Sequence, residues 1–311
     1  MTDTMIVFDR AVVRRRRDRA AAGLAAADFL LRESAVRLAD RLLDVTRSFP
    51  LALDLGCHSG QLASVLAGHA RIGCLLQADF SAAMATTAHN SGKCPTFVAD
   101  EESLPVAPGS LDLVMSNLSL HWVNDLPGAL TQIRRALKPD GLFLATLFGT
   151  ETLRELRAAL MEAESETAGG VTPRVSPFVD VRDAGNLLTR AGFNLPVADV
   201  DVITVTYADM FKLMTDLRRM AETNAVIERR KTFSRRATFL RAAEIYARRF
   251  TATGGRISAT FQIVTLTAWA PHESQPKPLR RGSATARLAD ALDSTELPAG
   301  DAVPRGPSRN T

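Results

Sequence analysis

Cysteine is scarce in this 311-residue chain: Cys57, Cys74 and Cys94 are the three it has, and no metal-ligand spacing relates them. An odd, scattered count with no signal peptide argues against a disulfide framework and for a reducing cytoplasm. Histidine is nearly as rare. The five, His58, His69, His89, His121 and His272, form no His-x-Asp/Glu pair and no His-Glu-x-x-His unit, so no zinc or non-haem iron site is legible. No apolar run approaches the length that spans a bilayer. Neither an internal repeat nor a nucleic-acid-binding signature is present. Net charge is only +4. The arginines cluster locally, at 14–17 with Arg19 and at Arg229, Arg230, Lys231, Arg235 and Arg236, and most of them read as solvated helix faces.

Hydrophobic residues make up 46% of the chain, enough for one large elaborated domain or two small ones. The informative stretch is Leu51-Ala-Leu-Asp54-Leu-Gly56-Cys57-His58-Ser59-Gly60. An apolar strand closes on an acid, turns through glycines, and gives way to a helix near Gln61. Glycine lets backbone approach a ligand where a Cβ would collide, so such units hold nucleotide-like cofactors. Alone the pattern is weak. It gains weight from Ile72-Gly-Cys-Leu-Leu-Gln-Ala-Asp79, a second strand whose final acid, roughly twenty residues on, suits a ribose. Pro95-Thr-Phe-Val-Ala-Asp100 ends in a third acid, placed to accept from an adenine amine, with Glu101 and Glu102 behind it. A fourth strand runs through Asn117 into a polar, aromatic loop carrying His121 and Trp122. The plain alternative for any one of these acids is a helix cap, which Asp79 ahead of Ser81 could supply. Taken in order they predict a nucleoside along the C-terminal edge of a parallel sheet.

Residues 1–48 read as a leading helical segment, with a helix over 34–43. Residues 49–271 read as the main α/β domain and 272–311 as a tail, rich in Pro, Ser, Gly and Arg and disordered at its end. Phe49-Pro50 breaks the helical pattern ahead of strand one, and Lys138-Pro139-Asp140-Gly141 predicts a turn before a strand over 142–148. A helix over 151–166 stops at Gly169-Gly170, and another carries Leu187 and Leu188 to Gly192. Strands follow over 197–207 and 257–269, with a basic helical insertion over about 209–250 between them.

This seven-stranded pattern resembles the Rossmann-like fold of class I S-adenosylmethionine-dependent methyltransferases. A narrower resemblance is to the arginine-hydroxylase assembly factors of respiratory complex I. It is carried by Phe8-Asp-Arg10, Gln77-Ala-Asp79, Ala99-Asp-Glu-Glu-Ser-Leu-Pro105, Leu118-Ser-Leu-His-Trp-Val-Asn-Asp-Leu-Pro127, Leu137-Lys-Pro-Asp-Gly141, His272-Glu-Ser-Gln275 and Arg281-Gly-Ser-Ala-Thr285. It spans about residues 6 to 287. That family is in turn similar to the biotin-pathway methyltransferases that esterify malonyl thioesters.

The resemblance implies S-adenosylmethionine bound at Asp54, Gly56, Gly60, Asp79, Asp100 and Asn117. It implies a protein substrate, an arginine of a quinone-site subunit of complex I, and membrane association only at the periphery, through that partner. Eukaryotic relatives work in the mitochondrial matrix. This chain meets the family pattern within its first ten residues, leaving no room for a presequence, and is expected to be a bacterial cytoplasmic relative. One departure stands out: the family loop has glycine where this chain has His58. The ring either intrudes on the methionine pocket, contacts the ligand carboxylate, or turns to solvent. Catalytic residues are not assigned. Glu101, Glu102 and Asp125 are the carboxylates nearest in sequence that could orient a guanidinium. A carboxyl or small-molecule O-methyltransferase, and a non-catalytic assembly factor with a vestigial pocket, stay open as alternatives.

Overall fold

Seven strands form one sheet in the order β3-β2-β1-β4-β5-β7-β6. They are β1 (Phe49–Leu55), β2 (Ile72–Asp79), β3 (Thr96–Val98), β4 (Leu111–Asn117), β5 (Leu137–Phe148), β6 (Asn194–Tyr207) and β7 (Ile257–Trp269). The first five pair in parallel, whereas β7 runs antiparallel between β5 and β6. The computed structural model describes residues 6–92, 94–276, 283, 286–295 and 300. Central strands covered by helices on both faces must be apolar throughout, and β4 and β5 are buried along most of their length. Edge strand β6 instead alternates partly buried with exposed positions, as a one-sided antiparallel strand does.

The helices are α1 (Arg10–Ala20), α2 (Phe29–Asp40), α3 (Gln61–Val65), α4 (Ala82–Gly92), α5 (Leu126–Ala136), α6 (Arg154–Ala168), α7 (Val181–Arg190), α8 (Met210–Arg219) and α9 (Arg236–Phe250). Asp9, Asp125, Asp180 and Asp209 cap α1, α5, α7 and α8 with their side chains. The leading helices share one core with α6, α8 and α9, through residues such as Leu24, Leu30, Leu156, Leu213 and Ile245.

Three local expectations are corrected. Phe49 and Pro50 open β1 instead of preceding it, because pairing with β2 begins at Phe49↔Ile72. The turn over 138–141 is absorbed into β5. Pairing to β4 jumps from Leu111↔Leu137 to Leu113↔Leu142, and the extra residues are stitched to Ala270 through Asp140 N–H and the Gly141 carbonyl. The insertion is two helices, interrupted over 220–235. There the backbone bonds the N-terminal segment, Asp9 N–H to the Ala225 carbonyl and Ile227 N–H to the Val7 carbonyl, and so leaves the helix.

The chain divides into a unit running through His272 and a second beginning at Glu273, whose described part includes the short helix Leu288–Ala291. Most of the tail expected to be disordered, and most of the 281–285 segment, lie outside the described residues.

Candidate functional site at the carboxyl edge of the sheet

Strand order reverses between β1 and β4, so their C-terminal ends flank the crevice where α/β sheets bind ligands. Asp54, next to last in β1, lies there fully buried, and neither carboxylate oxygen meets a hydrogen-bond donor. Burial pushes its carboxyl up to about 7; the Gln77 amide partly offsets this and Asp79 adds to it. Gly56 has φ 74° and lies so close to Ser119 that any Cβ would collide with that side chain. Gly60, at φ 93°, starts α3 in a conformation that suits glycine.

His58 stands between them at φ 49°, a left-handed conformation that is strained for histidine. Its ring is not turned to solvent: the residue is 2% exposed. Nε2 lies 3.1 Å from the Asn117 carbonyl and 3.2 Å from the Leu118 carbonyl. Carbonyls only accept, so Nε2 carries the proton and Nδ1 is left as a buried atom without a partner. Burial first, then Arg17, lowers the pKa of the ring and keeps it neutral. Asn117 directs its amide inward, donating to the Leu31 carbonyl and accepting from Thr146.

Asp79 closes β2 fully buried. Its Oδ1 accepts from Ser81 N–H at 2.7 Å, and its Oδ2 from His58 N–H at 3.0 Å. Ser81 itself caps α4 by accepting from Met84 N–H. A third donor reaches Asp79 from α1: Arg17, 1% exposed, lies 3.4 Å away and also donates to Ser119 Oγ at 2.9 Å. Arg10 pairs with Asp100 at 2.5 Å and Glu101 at 2.6 Å, its guanidinium 4.1 Å from the centre of the Phe80 ring. Burial would raise the Glu101 carboxyl, but Arg10 and Arg17 outweigh it and hold the group below its usual range. Arg14, Arg15 and Arg19 are exposed as expected; Arg16 is half-buried against the Thr223 and Asn224 carbonyls, and Arg17 is fully buried. Its signal was available, since positions 10, 14 and 17 fall on one helix face and Arg14 also overlies Phe80.

The carboxylates named from sequence as guanidinium partners are occupied structurally. Glu101 is taken by arginine, Glu102 accepts from Asn124 N–H, and Asp125 caps α5. Sequence reasoning missed Glu222, which follows α8. It accepts from His121 Nε2 at 3.0 Å and Trp122 Nε1 at 3.1 Å. Trp122 packs with Phe8, Val12, Val13 and Val226, while His121 lies against Phe148 and Phe178. Glu222 borders a cavity of about 260 Å³ between α6, α8, α9 and the 173–178 loop. No local pattern marks it, because its partners lie a hundred residues earlier.

The methyltransferase-domain family matches residues 53–145, the glycine loop through β5. Among solved structures, the YcgJ protein of Bacillus subtilis superposes with a TM-score of 0.54 at 13% identity, covering 76% of this chain and 98% of that one. Phosphoethanolamine N-methyltransferase 2 of Haemonchus contortus, in complex with S-adenosyl-L-methionine, gives 0.51 at 17% identity, over 84% of this chain and 60% of that one. Fold and edge architecture together define a protein of the class I methyltransferase superfamily. Sequence narrows this. The zebrafish (Danio rerio) mitochondrial arginine-hydroxylase NDUFAF5 is 44% identical over 288 residues, 92% of this chain and 89% of the relative. A malonyl-[acyl-carrier protein] O-methyltransferase of Methylovorus is 36% identical over 87% of this chain and 92% of its own length. The chain belongs to the NDUFAF5 arginine-hydroxylase family.

Proposed function

We propose that this chain is an S-adenosylmethionine-binding enzyme that modifies an arginine side chain of a protein substrate, as a bacterial cytoplasmic counterpart of the complex I assembly factors. The observation that carries the cofactor reading is the edge itself: Asp54 is next to last in β1, Asp79 ends β2, and Asp100 follows the end of β3 by two residues, around a loop with two left-handed glycines. The residues fit the group chemically. Asp54 is a buried carboxylate without a donor, suited to the ligand's ammonium. Asp79 and Asp100 are acceptors suited to ribose hydroxyls and an adenine amine. When bound, S-adenosylmethionine supplies a sulfonium-activated methyl group. Gly56 and Gly60 give the loop its left-handed turns, Asp54 and Asp79 orient the ligand, and His121 and Trp122 hold the substrate side closed through Glu222. Asn117 acts through its carbonyl, by seating His58. Among the described residues no helix is long and apolar enough to cross a membrane, in keeping with a membrane association made only through the partner.

Titration calorimetry with S-adenosylmethionine and its demethylated product tests the cofactor. Asp79→Ala is expected to weaken binding by about 1.5–3 kcal/mol, the worth of a charged bidentate acceptor. Unchanged affinity in that variant refutes the assignment. Mass spectrometry of arginine-bearing target protein then reads the reaction, as a gain of one oxygen or of one methylene.

A further inference from the structure

The cavity beside Glu222 has walls of Leu156, Leu160, Phe178, Met214 and Phe239. At about 260 Å³ it is at or below the roughly 300–1,000 Å³ usual for small-molecule sites. That is room for one long side chain, not for a folded segment. Glu222, whose side chain is 5% exposed, is the one carboxylate among its lining residues, which also include Arg16, Arg174, Arg218, Arg229 and Arg230. Two N–H donors from the loop after β4, on His121 and Trp122, fix this carboxylate in one orientation. Each carboxylate oxygen has lone pairs to spare, so further acceptor capacity remains. Because His121 and Trp122 belong to the loop that leaves β4, the Glu222 end of the cavity adjoins the carboxyl edge of the sheet.

We infer that Glu222 is the specificity residue for the substrate: it receives the guanidinium of an arginine side chain that enters this cavity from a segment with acidic neighbours. The inference rests on the protein-arginine reading above. A rigid carboxylate matches the planar fork of a guanidinium better than the point charge of an ammonium, and aromatic walls suit its flat face. The acidic neighbours follow from the arginines that border the cavity. Arg174 and Arg230 share the single carboxylate of Glu164, and Arg229 pairs with Asp9. Arg16 bonds only the carbonyls of Thr223 and Asn224, and Arg218 pairs with no acid among the described residues. Those two uncompensated cations would repel an isolated arginine but attract one flanked by carboxylates.

The test uses full-length protein and the acetylated, amidated peptides Gly-Asp-Arg-Asp-Gly, the same peptide with citrulline for arginine, and Gly-Lys-Arg-Lys-Gly, with affinities from fluorescence anisotropy of labelled versions. Wild type is expected to bind the acidic arginine peptide at least about ten-fold more tightly than either other peptide, the scale of one charge-assisted contact. Glu222→Gln should bind the arginine and citrulline peptides alike. Met214→Trp, which fills the cavity and leaves Glu222 intact, should weaken the arginine peptide about ten-fold while keeping the wild-type melting temperature. A wild type that does not discriminate arginine from citrulline, or a Glu222→Gln variant that still does, overturns the inference. S-adenosylmethionine is titrated separately, so loss of the cofactor reading shows up without altering the peptide result.

Discussion

His58 shows how much one side chain can alter a loop. Its backbone N–H helps hold Asp79, while its ring fills the space between the glycine loop and the end of β4. His58→Gly should therefore act on stability and on affinity with opposite signs. Stability should fall by about 1–2 kcal/mol, because a buried hydrogen bond and ring packing outweigh the relieved left-handed strain. Affinity for S-adenosylmethionine should rise, because the methionine portion gains the vacated space. Urea unfolding and calorimetry on the same variant read the two effects. Weaker cofactor binding by the glycine variant would mean that the ring contacts the ligand and does not exclude it.

At the scale of elements, α1 is a cover made of arginines. It places Arg17 on Asp79 and Arg10 on Asp100, the acids read from sequence as the nucleoside's partners, and Arg10 also on Glu101. A nucleoside that takes up Asp79 must compete with Arg17, since the carboxylate already accepts from three donors. Arg17→Ala is expected to tighten S-adenosylmethionine binding several-fold and to speed amide exchange in α1, because the helix loses its deepest anchor. Calorimetry and hydrogen exchange measure both. Slower or unchanged exchange with weaker binding would place Arg17 among the cofactor's own ligands. The insertion repeats the lesson: 209–250 has helical composition, yet 220–235 is drawn out of the helix to bond residues 7–9.

For the whole molecule, Asp54 links the site to folding. Its folded pKa of about 7 lies above the 3.8 of the free group, so the folded state holds the proton where the unfolded chain has released it. Stability contributed at this position is thus greatest below about pH 4 and falls as pH rises towards 7, by an amount on the order of 4 kcal/mol. Asp54→Asn carries no such proton and should remove that decline: it should be more stable than wild type above about pH 7 and little changed near pH 4. Denaturant midpoints across this range check it, and parallel curves for the two proteins would contradict it.

Much of the architecture was legible in sequence because it is written in local terms. Apolar, β-branched runs that end in turn signals mark strands, so 72–79 and 257–269 match β2 and β7 in full. Turns of left-handed backbone favour glycine, so the loop at 56–60 announced itself. The sequence by itself determined the strand order's raw material, the glycine loop, the acids at the strand ends and the family. Tertiary structure alone decided that Arg17 is buried on Asp79 while Arg14, Arg15 and Arg19 are solvated, that the His58 ring points inward, and that Glu222 is gripped by His121 and Trp122. The physical reason is range. Propensity, periodicity and backbone strain act over a few residues and leave a pattern in the chain, whereas charge pairing and desolvation depend on which distant groups the fold brings within a few ångströms.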